Sequence, residues 1–187
     1  LLLQNDARLV IELSSFQTER LVAPLGWPQI VVLTHLGTDH LDRHITVNEY
    51  WQAKRRLLQF QNADGTLLLP SDCPNRSQWE EEARGTTLRL QAETLPDFGL
   101  TTADLPFTEP YRLPSLLAAL HAARLLGLDD VTLRARTRTF PGLPYRMRAF
   151  VDAHGRHIID NAVATHPDPT TAALKNLSGA VVLLAGG

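Results

Sequence analysis

A chain of 187 residues with 44% hydrophobic and 20% charged side chains can bury a core, which excludes a disordered chain. Its formal net charge of −2 leaves no electrostatic footprint for nucleic acid or an anionic membrane surface. The single cysteine, Cys73, excludes an internal disulfide framework and fits a reducing cytoplasm, and no apolar run spans a bilayer or forms a signal peptide.

In chain order, residues 8–13 (RLVIEL) and 29–34 (QIVVLT) are short, β-branched and almost wholly apolar, the pattern of strands buried on both faces of a parallel sheet. Residues 14–22 between them predict a short helix, with Pro24, Gly26 and Pro28 punctuating the return. Residues 47–62 predict a helix that places Tyr50, Ala53, Lys54, Leu57 and Leu58 near one face. Residues 66–69 predict a strand ahead of Pro70, and residues 71–108 read as irregular, with a hairpin around residues 87–90. Residues 113–126 are helical and stopped by Gly127, and residues 131–139 form another helix. FPGLPYR, residues 140–146, is the best linker. Residues 147–151 and 156–160 pair around His154 and Gly155, residues 168–177 are a helix, and residues 180–184 are a last parallel strand. The alternation predicts an α/β class with a mostly parallel sheet flanked by helices. The chain lacks an initiator methionine and stops on a strand running into glycines, so a fragment of a longer protein is expected.

Ligands of a parallel α/β sheet bind at the carboxyl ends of its strands. Glu12 closes the first predicted strand and is followed by Ser14, Ser15 and Gln17; VVLTHLGTDHLDRH crowds His35, Asp39, His40, Asp42, Arg43 and His44 after the second. A carboxylate beside an imidazole suits a divalent cation, and a buried acid has to be paired or functional. A paired acid and a solvated loop account for the same residues equally well. Lys54, beside Arg55 and Arg56, reads from its neighbours as a surface lysine with its stem on apolar surface.

VIELSSFQTE, then VVLTHLGTDHLDRH, then NEYWQAKRRLL resemble the Mur ligase family, whose motifs are ELSSFQLE, TN-[IV]-xx-DHLDRH and a YxxAK helix. FPGLPYRMR is similar to that family's F-x-G-LPHR-x-E, IIDNAVATHPDPTTAAL to I-x-DSKATN-P-x-A-T-x-AAL, and VVLLAGG to [VIL]-x-AGG. The motifs keep the family's order across nearly the whole chain. The likeness is greatest to the branch that adds D-glutamate to UDP-N-acetylmuramoyl-L-alanine. It implies residues 1–142 as an N-terminally truncated central ATPase domain and residues 143–187 as the start of a Rossmann-like C-terminal ligase domain.

The resemblance also implies chemistry. ATP phosphorylates the substrate carboxylate to an acyl phosphate, and the amine of D-glutamate displaces phosphate, with Mg²⁺ offsetting the charge between two anions. Carried over by position, Glu12, His40 and Lys54 are metal-site residues, Lys54 as a carbamate, and Lys54, His40 and Thr165 stand near the reacting groups. Ser14, Ser15 and Gln17 are substrate-side residues, and Arg146, Ser115, Asp160 and Asn161 are nucleotide-side residues. The expected partners are ATP, a UDP-muramoyl peptide and D-glutamate, with no nucleic acid and no membrane, for a monomer of the bacterial cytoplasm. The nucleotide side departs from the pattern: the DSKAT lysine falls on Val163 and its Asp on Asn161, Tyr111 and Arg112 replace a His-Asn pair, and Tyr145 replaces the His of LPHR. No G-T-x-G-K-[ST] phosphate loop occurs in the sequence, so residues 1–187 alone are expected to be inactive. The rival readings are a folylpolyglutamate synthase-like ligase, a metal-dependent phosphohydrolase built on the His/Asp cluster, and a degenerate Mur-like protein that binds nucleotide without catalysis.

Overall fold

Three consecutive leucines, Leu67, Leu68 and Leu69, are each 0% exposed, and the fold is built around them. They belong to β2 in a computed structural model that describes residues 7–22, 26–37, 44–164 and 167–186. The elements in chain order are α1 (Ser15–Glu19), β1 (Ile30–Val32), α2 (Val47–Arg55), β2 (Thr66–Pro70), α3 (Arg76–Glu82), β3 (Thr86–Leu90), α4 (Leu113–Leu125), α5 (Asp130–Arg138), β4 (Arg148–Val151), β5 (His157–Asp160) and α6 (Pro167–Lys175). A 3₁₀ turn, Arg56–Phe60, prolongs α2, and another covers Ala92–Phe98.

β1, β2 and β3 form a parallel sheet with β2 in the centre, Leu68 lying opposite Val32 on one side and Leu88 on the other. Alternation along β2 sends Leu68 to one face and Leu67 and Leu69 to the other. Leu68 packs with Leu90, Leu95, Phe98, Leu117 and Leu133, so α4 and α5 cover that face. Leu67 and Leu69 pack with Val31, Leu33, Leu58 and Trp79, so α3 and the turn after α2 cover the other. A strand buried on both sides is the parallel-sheet pattern the sequence carries. Gly65 and Gly85 open β2 and β3 side by side, and a Cβ on Gly85 would lie 2.1 Å from the Gly65 carbonyl oxygen.

β4 and β5 form a separate antiparallel pair, with Arg148 opposite Asp160 and Val151 opposite His157. Asp152 fixes their turn: its Oδ1 accepts from the backbone N–H groups of His154 and Arg156 at 2.9 and 3.0 Å, and Gly155 supplies the left-handed φ of +76°. Between α5 and β4 the chain takes three left-handed residues, Gly142 at φ +79°, Tyr145 at +59° and Met147 at +52°.

Four expectations are corrected. Residues 8–13 form no strand; Leu9, Val10 and Ile11 are 57, 85 and 46% exposed. A parallel strand exists through its ladder, and an apolar run with no hydrogen-bonded neighbour has only the composition of one. Residues 180–184 likewise form no strand, for the same reason, with Val182 and Leu184 exposed. The hairpin around residues 87–90 is instead the third parallel strand, β3, reached from β2 through α3. α3 escapes sequence reading because RSQWEEE offers a single apolar anchor, Trp79, too few to set a helical period. Lastly, Glu12 is exposed, so the cost of burying an acid does not bear on it.

Candidate functional site

Two short helices meet at the site, and each starts on a capping box. Ser14 caps α1: its Oγ accepts from the Gln17 N–H at 3.4 Å, while Gln17 Oε1 accepts from the Ser14 N–H at 2.8 Å and from its hydroxyl at 3.0 Å. Thr46 and Glu49 do the same for α2. A serine or threonine followed three residues later by Gln or Glu therefore fixes where both helices begin. Within α2, Tyr50 and Lys54 are four residues apart and share a face. Lys54 Nζ stands 4.8 Å from the Tyr50 ring centroid, a cation–π distance.

A cavity of about 410 Å³ opens between these helices, lined by Glu12, Leu13, Ser14, Ser15, Gln17, Tyr50 and Lys54. The structure thus brings together Glu12, Ser14, Ser15, Gln17 and Lys54, all of them candidates from the sequence. The oxygens are a carboxylate, two hydroxyls and an amide, of the hard kind that suits Mg²⁺, with the amide oxygen of Gln17 already taken up by its two hydrogen bonds from Ser14. An unmodified lysine ammonium lining the same cavity would oppose a cation, and conversion to an anion would remove that opposition. Among the described residues, no three His, Cys, Asp or Glu side chains gather as a metal site. His40 and Thr165, both candidates, lie outside the described residues.

The nucleotide-side candidates lie elsewhere. Arg146 is exposed, just past the left-handed Tyr145, and its charge reaches the Tyr111 phenol. Burial pushes that phenol above its ordinary value, Glu109 adds to the push, and Arg112 and Arg146 oppose it. Arg112 is already engaged, paired with Glu109 at 3.2 Å and laid over the Phe107 ring at 4.6 Å. Asp160 ends β5 and its Oδ1 accepts from the Ala162 N–H at 3.1 Å; the Val163 N–H donates to the Tyr145 carbonyl at 3.3 Å. That bond draws the loop holding Asn161 back to the junction beside Arg146. Ser115 is exposed in the first turn of α4.

One residue was named in the His/Asp cluster of the sequence without a role. His44 is buried, its Nε2 lies 3.0 Å from Ser15 Oγ, and its ring touches Phe16 and Tyr50. Lys54 carried a compositional signal that neighbour-by-neighbour reading overlooked: of 18 lysines and arginines in the chain, only Lys54 and Lys175 are lysines. A chain that uses arginine for nearly every other positive charge keeps at position 54 one of its two side chains able to become a neutral amine. Two further titratable groups belong to the core. Burial pushes the Cys73 thiol up to about 11, and His121 packs edge-on against Phe98 at 4.8 Å.

Residues 2–96 match the family model described as the Mur ligase middle domain. A UDP-N-acetylmuramoylalanine–D-glutamate ligase of Thermus thermophilus is 35% identical over 184 residues, covering 95% of this chain and 40% of the relative. The enzyme of the same name from Latilactobacillus sakei is 30% identical over 201 residues, covering 96% of this chain and 42% of the relative. Among solved structures, MurF from Acinetobacter baumannii superposes with a TM-score of 0.68 at 16% identity, covering 86% of this chain and 38% of that one, a likeness of fold. The chain spans about two fifths of the length of the curated relatives it matches.

Proposed function

The chain belongs to the Mur ligase family, and on that premise we propose that the protein carrying it is an ATP-dependent amide-bond ligase of peptidoglycan-precursor synthesis that adds D-glutamate to UDP-N-acetylmuramoyl-L-alanine. The observation that carries this is the cavity in which Glu12, Ser14, Ser15 and Gln17, from α1 and the residues leading into it, meet Lys54 of α2. The family match supports the reaction type, and the relatives' names support D-glutamate. In this reading residues 1–142 are the ATPase domain and residues 143–187 open the next, with the left-handed turn from Gly142 to Met147 between them. Among the described residues no helix is long and apolar enough to cross a membrane; a cytoplasmic setting and a monomer are part of the proposal.

The chemistry asks for two transfers. The substrate carboxylate attacks the γ-phosphorus of ATP, expelling ADP and forming an acyl phosphate. The amine of D-glutamate then attacks the acyl carbon, phosphate leaves, and the amine gives up a proton. Mg²⁺, when bound, screens the approaching anions. The residues that would hold it here are Glu12, with His40 and carbamylated Lys54. The Lys54 amine, once neutral, adds to CO₂ and releases a proton, so that a cation becomes a carboxylate facing Glu12 across the cavity. Ser14, Ser15 and Gln17 line the substrate side, and Arg146 with Asp160, Asn161 and Ser115 the nucleotide side; Thr165 is assigned to the reacting groups by its motif.

The test is phosphate release by the whole protein with ATP, UDP-N-acetylmuramoyl-L-alanine and one amino acid at a time. D-glutamate alone should support turnover, with the amide product seen by mass spectrometry. Turnover with another amino acid would move the protein to another branch of the family. Val163 favours a second reading, nucleotide binding without turnover: it stands 38% exposed where the family motif has a lysine. That reading expects ATP binding with no release of phosphate under any amino acid.

A further inference from the structure

One imidazole lies behind two walls of the cavity. His44 is 5% exposed, and its Nε2 lies 3.0 Å from the hydroxyl of Ser15, the first residue of α1, itself 1% exposed. The same ring stacks on Phe16, centroids 5.7 Å apart and planes 9° apart, and meets Tyr50 at 5.4 Å. Tyr50 in turn carries Lys54 Nζ at 4.8 Å. Ser15, Tyr50 and Lys54 line the cavity, whereas His44 backs them.

We propose that His44 is a positioning residue of the ligase: its Nε2 fixes the direction of the Ser15 hydroxyl, and its ring seats Tyr50 and through it the Lys54 amine. This deepens the ligase reading and rests on it for the reaction served. A serine hydroxyl is a free rotor until a partner holds it. With Nε2 as acceptor, the Ser15 proton is committed to the ring and the oxygen lone pairs face the cavity, ready for a cation or an N–H. With Nε2 as donor, the Ser15 proton is released to face a substrate oxygen. Each tautomer gives Ser15 one defined role, and loss of the ring nitrogen gives it none. On the other wall, a cation–π contact holds Lys54 only as well as the ring beneath it is held. A histidine kept merely for packing would be replaceable by phenylalanine, which fills nearly the same space and keeps the stack on Phe16.

The experiment uses the whole protein. His44→Phe retains the ring and removes the nitrogen; kcat should fall roughly tenfold or more, as misplacement near a reacting centre does. His44→Gln, which returns a nitrogen near the same place, should recover part of the loss, and adding Ser15→Ala to His44→Phe should cost nothing further. A His44→Phe enzyme with kcat within about twofold of wild type overturns the role. Should that variant fail to fold, Ser15→Ala alone tests the same bond, and undiminished kcat there also overturns it. A second measurement needs no turnover: the cyanate labelling rate of Lys54 relative to Lys175, read by mass spectrometry. His44→Ala should change that ratio about threefold or more, since Tyr50 loses its seat; an unchanged ratio overturns the link to Lys54. A wild type that releases no phosphate under any amino acid refutes the ligase reading, and the labelling ratio still decides the positioning of Lys54.

Discussion

A lysine and an arginine carry the same charge but not the same chemistry, and position 54 separates the two. If Lys54 only supplied positive charge, Lys54→Arg would keep most activity. If it reacts with CO₂, Lys54→Arg should fail as completely as Lys54→Ala, because a guanidinium stays protonated in proteins. Loss should exceed about a hundredfold in kcat, as for removal of a group aimed at developing charge. Short carboxylic acids added to Lys54→Ala should restore some turnover by placing a carboxylate where the carbamate would stand, whereas added amines should not. An active Lys54→Arg enzyme would discard the carbamate. Arg146 has a lesser expected part. It is exposed and spends its charge near Tyr111, so Arg146→Ala should raise KM for ATP while the fold is kept. Unchanged kinetics would leave it a surface cation. At this scale the sequence was legible where short motifs fix both the residue and its neighbours. Ser14 and Gln17 were marked as site residues, and the capping box they form also explains why α1 begins there. Glu12 is exposed rather than buried, because burial depends on a ladder that residues 8–13 do not make.

At the scale of elements, the sheet and the helix over it carry two expectations. Gly85 begins β3 against Gly65 at the start of β2, and a Cβ there would meet backbone at 2.1 Å. Backbone held in a parallel ladder cannot yield as a flexible side chain can, so Gly85→Ala should cost about 2 kcal/mol or more, read as a shift in the denaturant midpoint. Gly127, whose added Cβ would meet nothing within 4 Å, provides the control: its φ of +93° makes the cost of Ala there one of backbone conformation alone, about 1 kcal/mol. The second expectation concerns pH. Burial holds the His121 imidazole below its ordinary value, and Arg124 adds to this, while Asp97 opposes it. The unfolded chain then binds a proton on His121 at a higher pH than the folded chain does. Stability is therefore full above about pH 6.5 and falls as the pH drops from there toward the folded value, with no further loss from this group below it. His121→Gln should flatten that part of a melting-temperature profile between pH 8 and 5; an unaltered slope would place the titration elsewhere. Long apolar runs with clear stops, such as α4 ahead of Gly127, were legible. α3 and the parallel pairing of β3 were not, because one buried tryptophan sets no helical period and alternation along a short strand does not name its partner.

At the scale of the whole molecule, the described residues give a cavity between α1 and α2 and a group of Tyr111, Arg112 and Arg146, which we assign to substrate and nucleotide, and nothing in the sequence resembles a phosphate loop. Fold class and motif order could be read directly, since alternating strands and helices leave few α/β arrangements. What the sequence could not fix is how ATP is held. A triphosphate is bound chiefly by converging backbone N–H groups at the mouth of a helix, backed by a lysine. In this chain the cavity's one cation is Lys54, committed in our reading to a carbamate, Arg112 is paired with Glu109, and Val163 cannot replace a lysine. Among the described residues assigned to the nucleotide side, Arg146 is left to meet the phosphates, and a single exposed arginine is a weak anchor because water and salt screen it. Residues 1–187 alone should therefore show no heat of ATP binding in the presence of Mg²⁺, which sets the Kd above about 1 mM. A longer protein that adds a phosphate loop to these residues should bind ATP at least about a hundredfold more tightly, a difference of roughly 2.7 kcal/mol. Micromolar binding to residues 1–187 would mean that these residues hold the phosphates themselves. The cluster of Tyr111, Arg112 and Arg146 would then be the place to look, and Arg112→Ala, which frees Glu109 as it removes a cation, should abolish that binding.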